Sequence, residues 1–304
     1  MTDEISDSRR GGSVAIIGRP NVGKSTLLNR LLGQKLAITA AKPQTTRHRL
    51  LGIIDHPVGQ VALLDTPGIH EMRKARALNQ ALNRAAMSAM AEADLEWFMV
   101  AAGRWGEAED RILSALAQEG RPIMLLINKI DRLPRREDLF PFLQEIGAKH
   151  DFVEIFPISA LKGANVDRLL ERTLSHLPEN GACWPQDQLT DRSLRFLCAE
   201  FIREPVMRQL GEEVPYAVAV TIDHFEERAD LVDIEATLWV ERGGQKAILI
   251  GKGGSRMKAI GIQARRNIES LVDRKAFLQL WVKVRPGWQD DPRFLHKLEM
   301  DAPK

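Results

Sequence analysis

Two glycines, a lysine and a serine stand at fixed spacing in Gly18-Arg19-Pro20-Asn21-Val22-Gly23-Lys24-Ser25, with Thr26 directly behind. The spacing G-x-x-x-x-G-K-[ST] suits a polyphosphate. Glycines let successive backbone N–H groups turn toward one anion, and a helix starting there adds its positive end. Lys24 has the length and charge to reach the β- and γ-phosphates, and the Ser25 hydroxyl is a hard oxygen donor for Mg²⁺. Asp65-Thr66-Pro67-Gly68 offers a carboxylate that can hold the metal through water, and the Gly68 N–H can meet the γ-phosphate. In Asn128-Lys129-Ile130-Asp131, the final carboxylate can accept two hydrogen bonds, from guanine N1–H and the exocyclic amine. Adenine lacks that donor pair and would strand Asp131 without a partner, which is how such sites discriminate. Backbone N–H groups of Ser159-Ala160-Leu161 can contact guanine O6. Together these groups describe a site for GTP or GDP with Mg²⁺, in which Lys24 and Gly68 are catalytic candidates.

Such groups work only if one scaffold brings them together. Ser13–Ile17, Leu50–Ile54, Val61–Leu64, Trp97–Val100, Pro122–Ile127 and Phe152–Ile158 are short apolar runs of strand length. Helical patterning covers Ser25–Leu32, Ala75–Ala91, Glu107–Ala117, Glu137–Lys149 and Ala164–His176. Alternation of this kind predicts an α/β domain with a mostly parallel sheet and helices on both faces. Only about six residues join Leu50–Ile54 to Val61–Leu64, too few for a crossover, so that pair is expected as an antiparallel edge hairpin. The motifs follow successive strands, which puts them along the carboxyl edge where open α/β sheets bind ligands. Pro178, Gly181 and Pro185 then break the pattern. The expected division is a flexible terminus at 1–12, a nucleotide-binding domain at 13–180, a linker at 181–190 and a second domain at 191–304.

The net charge of +2 conceals a polarity in the second domain. From Asp191 to Glu241 there are five Lys/Arg against twelve Asp/Glu, and from Arg242 to Arg285 eleven against two. A basic block fits nucleic-acid phosphate, an anionic membrane surface, or simply its acidic neighbour. The order of elements favours the first. A helix over Arg192–Leu210, expected to kink at Pro205, is followed by strands at Tyr216–Asp223 and Leu231–Val240. The turn Gly251-Lys252-Gly253-Gly254 then precedes a basic helix reaching about Arg274, and Phe277–Val284 closes as a strand. This is the order of a smaller α+β domain of the type II KH class. There the G-x-x-G backbone approaches the sugar-phosphate chain, and a neighbouring apolar groove seats about four bases. Gly251, Lys252, Gly253, Gly254, Arg256 and Lys258 are the RNA-binding candidates. Trp281 and Trp288 could stack bases, but tryptophan in a strand is more often core, and both are left out of the site.

The nucleotide motifs resemble the translation-factor-like branch of P-loop GTPases. Lys42-Pro43-Gln44-Thr45-Thr46-Arg47 is similar to the first switch loop of that branch. The resemblance implies that a threonine there completes the Mg²⁺ shell and shares in catalysis; Thr46 is preferred and Thr45 is the alternative. Across the chain, GRPNVGKST, QTTRHR, DTPGIH, NKID, ISAL, VPYAV, ILIGKGG and WVKVRPGW resemble the Era family of bacterial GTPases. That resemblance implies a GTP-dependent factor, cytoplasmic and loosely associated with the inner membrane. It would bind the 3′ region of small-subunit ribosomal RNA and assist assembly of the small ribosomal subunit; a monomer is expected. Two departures from the family pattern are Pro205 within the helix and Ala101-Ala102 at a strand end. Ras-like enzymes carry a water-orienting glutamine where this chain has Ile69, so slow intrinsic hydrolysis is expected.

Composition removes several classes. Hydrophobic residues make up 44% and charged residues 28%, which fits a globular chain and not a disordered or fibrous one. No apolar run approaches a bilayer span, no secretory leader is expected, and Cys183 and Cys198 read as reduced thiols. Rival readings are an RNA-binding assembly scaffold with a structural nucleotide site, a membrane-surface GTPase regulator, and an ATPase.

Overall fold

The computed structural model describes residues 9–68, 77, 78, 80, 82, 87, 91–179, 184, 185, 188–211 and 213–299. Ile69 and Cys183 lie outside them, as does most of the helix expected over Ala75–Ala91. Backbone contacts divide the chain into two compact units. The first takes the described residues of 9–33, 49–68 and 87–190; the second takes 34–48, 77–82 and 191–299.

The first unit is built on a six-stranded sheet in the order β2-β3-β1-β4-β5-β6. Its strands are β1 (Arg10–Ile17), β2 (Leu50–His56), β3 (Gly59–Asp65), β4 (Leu95–Ala101), β5 (Ile123–Asn128) and β6 (Glu154–Pro157). All neighbours are parallel except β2 and β3, the expected hairpin, whose turn is Pro57-Val58. Helices α1 (Lys24–Leu31), α2 (Glu107–Glu119), α3 (Leu139–Gly147) and α4 (Val166–His176) connect the strands. β1, β3, β4 and β5 are nearly continuous apolar runs because packing covers both faces of the sheet. β1 starts three residues earlier than the apolar run suggested, since Arg10, Gly11 and Gly12 extend the ladder against Gly59, Gln60 and Val61. The segment expected as a linker is tied to this unit: Ile53 N–H donates to the Leu189 carbonyl at 2.9 Å and Trp184 N–H to Gln60 Oε1 at 2.6 Å.

In the second unit, α5 (Leu194–Gln209), α6 (Gly243–Ile250) and α7 (Ser255–Val272) pack on a sheet in the order β7-β8-β9. β7 (Ala219–Glu227) is antiparallel to β8 (Leu231–Val240), and β8 is parallel to β9 (Lys275–Val284). A last helix, α8, covers Pro292–Glu299. α5 passes through Pro205 as one helix. The first strand begins at Ala219, not Tyr216, because Val214–Ala217 form a 3-10 turn with Pro215 in its first positions. The core joins Phe201, Ile202 and Val206 of α5 to Ile234, Ala236 and Leu238 of β8 and to Ile260, Ala264 and Ile268 of α7. Trp288 is core as expected, with its indole N–H donating to the Ala217 carbonyl at 3.1 Å. Trp281 is not: β9 is an edge strand, its alternate side chains face away from the helices, and Trp281 remains 54% exposed.

Candidate functional site

The loop between β1 and α1 is shaped by what stands behind it. Gly23 has φ +116°, and a Cβ there would lie 2.2 Å from Asn128 Nδ2. A side chain at Gly18 would meet the Met99 carbonyl oxygen at 2.3 Å. These two close approaches let Val22 and Gly23 run against the ends of β4 and β5. Lys24 is the first residue of α1 and is buried. Its Nζ donates to the Gly18 and Arg19 carbonyls at 3.0 and 3.1 Å, which holds the ammonium inside its own loop. Burial lowers its pKa to about 8, against the opposing pull of Asp65. Asn21 adopts a left-handed conformation, and Thr26 is half-buried in the first turn of α1.

Ser25 Oγ donates to Asp65 Oδ2 at 2.7 Å. Asp65 ends β3 and is fully buried. The following Thr66 anchors the turn by donating its hydroxyl to the Ile16 carbonyl at 2.9 Å. Gly68 then comes so close to the phosphate loop that a Cβ would lie 2.8 Å from Pro20 N. One hydroxyl and one carboxylate, both hard oxygen donors, fit Mg²⁺, which completes its shell with water and phosphate oxygens. No group of three or more His, Cys, Asp or Glu forms a metal cluster among the described residues.

Asn128 joins the loop after β1 to the loop after β6. Its Nδ2 donates to the Val22 carbonyl at 2.7 Å, and its Oδ1 accepts from the Ala160 N–H at 2.9 Å. Lys129, at φ +66°, donates from Nζ to the Asn21 carbonyl. Its pKa is lowered by burial and by the charges of Arg132 and Arg104. Asp131 is exposed and points its carboxylate along the loop, where Oδ1 accepts from Ser159 Oγ at 2.5 Å. Ser159 and Ala160 are buried, while Leu161 is exposed. All the nucleotide-site residues expected from the sequence, Thr46 apart, thus sit at the carboxyl edge of the first unit's sheet.

The sequence reading passed over Arg30. From α1 it donates to the Ala160 and Leu161 carbonyls at 2.7 and 2.6 Å, fixing the loop that would face guanine O6. Nothing distinguishes one arginine in an amphipathic helix, so only the fold identifies it. Arg19, paired with buried Glu109 at 3.2 Å, was likewise invisible as a partner.

Thr45 and Thr46 belong to the second unit. Their segment is stitched to α5 and the turn after it. Glu204, 1% exposed, accepts from Lys35 Nζ, from the Thr39 N–H at 3.0 Å, from Arg208 Nη2 at 2.9 Å and from Asn267 Nδ2 at 3.0 Å. Lys42 donates to the Leu210 carbonyl, and Arg203 to that of Thr45. The Thr45 hydroxyl is engaged by the Lys42 carbonyl at 2.6 Å.

The G-x-x-G turn lies between α6 and α7, and glycines are needed there. Gly251, Gly253 and Gly254 have φ of +73°, +58° and +77°. A Cβ on Gly251 would also press to 2.8 Å from the Arg256 Cβ. Lys252, Arg256 and Lys258 are exposed around this turn, and Arg256 donates back to the Ile248 carbonyl. Ile248 is 45% exposed, an apolar neighbour for an unstacked base.

Comparison with known proteins follows the same division. Residues 13–129 match a family model described as a 50S ribosome-binding GTPase, and residues 213–289 match the KH domain. The chain is 51% identical to GTPase Era of Stenotrophomonas maltophilia, covering 92% of this chain and 94% of the relative. It is 50% identical to GTPase Era of Xanthomonas axonopodis pv. citri, covering 95% and 96%. Among solved structures it is similar to Era in complex with MgGDPNP and nucleotides 1506–1542 of 16S ribosomal RNA. That likeness has a TM-score of 0.92 at 40% identity and covers 97% of this chain and all of the other.

Proposed function

The chain belongs to the Era family of GTPases, and from that premise we propose that it binds GTP or GDP with Mg²⁺, hydrolyses GTP slowly, binds small-subunit ribosomal RNA near its 3′ end and assists small-subunit assembly. The observation that carries this reading is the pair of hydrogen bonds through Asn128, which ties the phosphate loop to the base loop. In this reading Lys24 exchanges the Gly18 and Arg19 carbonyls for phosphate oxygens, and the loop N–H groups from Asn21 to Thr26 receive the remaining charge. Asp131 turns from Ser159 to the guanine edge, while Ala160 N–H and Leu161 N–H face O6. Mg²⁺ neutralises phosphate charge when bound, and Ser25, Thr46, and Asp65 through water are the groups that would hold it. Gly68 N–H contacts the γ-phosphate. Ile69 offers no hydrogen bond to the attacking water, so turnover without a partner is slow.

The stitched segment at 34–48 supports a nucleotide-dependent grip on RNA. Recruiting Thr46 to the nucleotide competes with the bonds that Lys35, Thr39, Lys42 and Thr45 make to α5 and its following turn. RNA affinity then follows the state of the γ-phosphate. Lys252, Arg256 and Lys258 take the RNA backbone, and the Gly251–Gly254 turn admits it closely. No helix among the described residues is long and apolar enough to cross a membrane. We place the protein in the cytoplasm as a monomer, with weak attraction of its basic block to anionic inner-membrane lipid. Phosphate release from GTP and ATP, measured beside binding of a 3′ small-subunit RNA segment, tests the reading. GTP-selective release with tight RNA binding supports it, and equal use of ATP refutes it.

A further inference from the structure

Arg47 and Arg203 bring two guanidinium groups to one cavity inside the second unit. They are 5% and 2% exposed, and Leu82, Phe196, Val220, Trp288 and Leu295 form much of its apolar wall. Arg47 donates Nη1 to the Val218 carbonyl at 2.7 Å and Nη2 to those of Tyr216 and Pro215 at 2.9 and 3.3 Å. Arg203 donates Nε and Nη2 to Glu200 at 2.8 and 2.6 Å. That leaves Arg47 Nε–H and Arg203 Nη1–H, both buried, with no partner among the described residues.

The charges do not balance either. Among the described residues, Arg203 pairs directly with the Glu200 carboxylate, while Arg47 hydrogen-bonds only carbonyl oxygens, has the Trp288 ring 5.9 Å from its Cζ, and feels Glu200 through its charge alone. Burial and Arg203 lower the Arg47 pKa to about 9, and burial holds the neighbouring His48 at about 4, hence neutral. Burial would raise the Glu200 carboxyl, yet the charges of Arg203 and Arg47 hold it below its ordinary value. Among the described residues, one positive charge is therefore in excess. A water molecule can accept the two N–H bonds, but only an anion also offsets a buried charge.

We propose that this cavity binds one small monovalent anion, a halide or a short carboxylate, through Arg47 Nε–H and Arg203 Nη1–H. The bound ion fixes Arg47, and with it the end of the segment at 34–48. This site is separate from the nucleotide and RNA sites and does not depend on their assignment.

Thermal unfolding of the full chain at constant ionic strength, with gluconate replaced stepwise by chloride, bromide or acetate, tests the proposal. A saturable rise of about 3 °C is expected. Halides acting alone identify a halide site, acetate alone a carboxylate site, and both a site for either. Bromide-soaked crystals should give an anomalous peak within hydrogen-bonding distance of both arginines if halide is the ligand. The paired variant Glu200→Gln/Arg203→Met should lose the ion-specific rise; if it fails to fold, the wild-type titrations decide. Identical melting in all four salts overturns the proposal, as does a bromide peak without saturable stabilisation, which marks an adventitious ion only.

Discussion

Asp131 is the residue on which we propose purine choice turns. It is poised by Ser159 rather than buried, so its loss should spare the fold and strike recognition. Asp131→Asn is expected to weaken GTP binding by at least about 100-fold and to favour xanthine nucleotides, measured by competition against a labelled guanine nucleotide. Unchanged preference would remove Asp131 from the base site. Lys24 makes a second claim at this scale. With its pKa lowered to about 8, it is charged at neutral pH and loses its proton as pH rises through that value. Bound phosphate favours the charged form, so GTP affinity should fall by up to about tenfold per pH unit above about pH 8, with proton uptake on binding. Calorimetry in buffers of different ionisation enthalpy reads that uptake directly, and its absence would contradict the assignment. Most of these residues were legible because phosphate, metal and base chemistry demand particular side chains at particular spacings. Arg30 was not, because its work is done on backbone carbonyls that a sequence does not bring near it.

At the scale of elements, apolar runs and short connections were enough to predict the parallel sheet and the edge hairpin. Strand ends were less legible because ladder pairing, not hydropathy, decides them, as Arg10–Gly12 and Ala219 show. Trp281 was misread because an edge strand has one covered face and one open face, and composition cannot say which face a residue takes. β4 carries the clearest energetic oddity. Glu96 is fully buried and neither carboxylate oxygen has a hydrogen-bond partner among the described residues. Burial raises its pKa from 4.5 to about 7, with Arg121 opposing and Glu119 adding. The folded state therefore holds the proton more tightly than the unfolded chain. That stabilisation is complete below about pH 4.5 and is lost as pH rises to about 7, a change on the order of 3 kcal/mol. Glu96→Gln stays neutral throughout. Its melting temperature relative to the parent should rise between about pH 5 and about pH 8, and a constant difference would contradict this account.

For the whole molecule, sequence order and folded neighbourhood part company at one segment. Residues 34–48 lie between motifs of the nucleotide site yet belong to the second unit, held by Glu204, Arg203 and the carbonyls around Tyr216. Nothing in their composition announced this, because the bonds that place them span more than 150 residues of chain. The same segment carries the threonine proposed for Mg²⁺. The direct measurement is the affinity of the Mg²⁺-loaded protein for the 3′ segment of small-subunit ribosomal RNA, taken with GDP and with a non-hydrolysable GTP analogue. Binding at least about tenfold tighter with the analogue, a coupling of about 1.4 kcal/mol, is expected. Equal affinity in the two states would leave two independent binders on one chain and contradict the account.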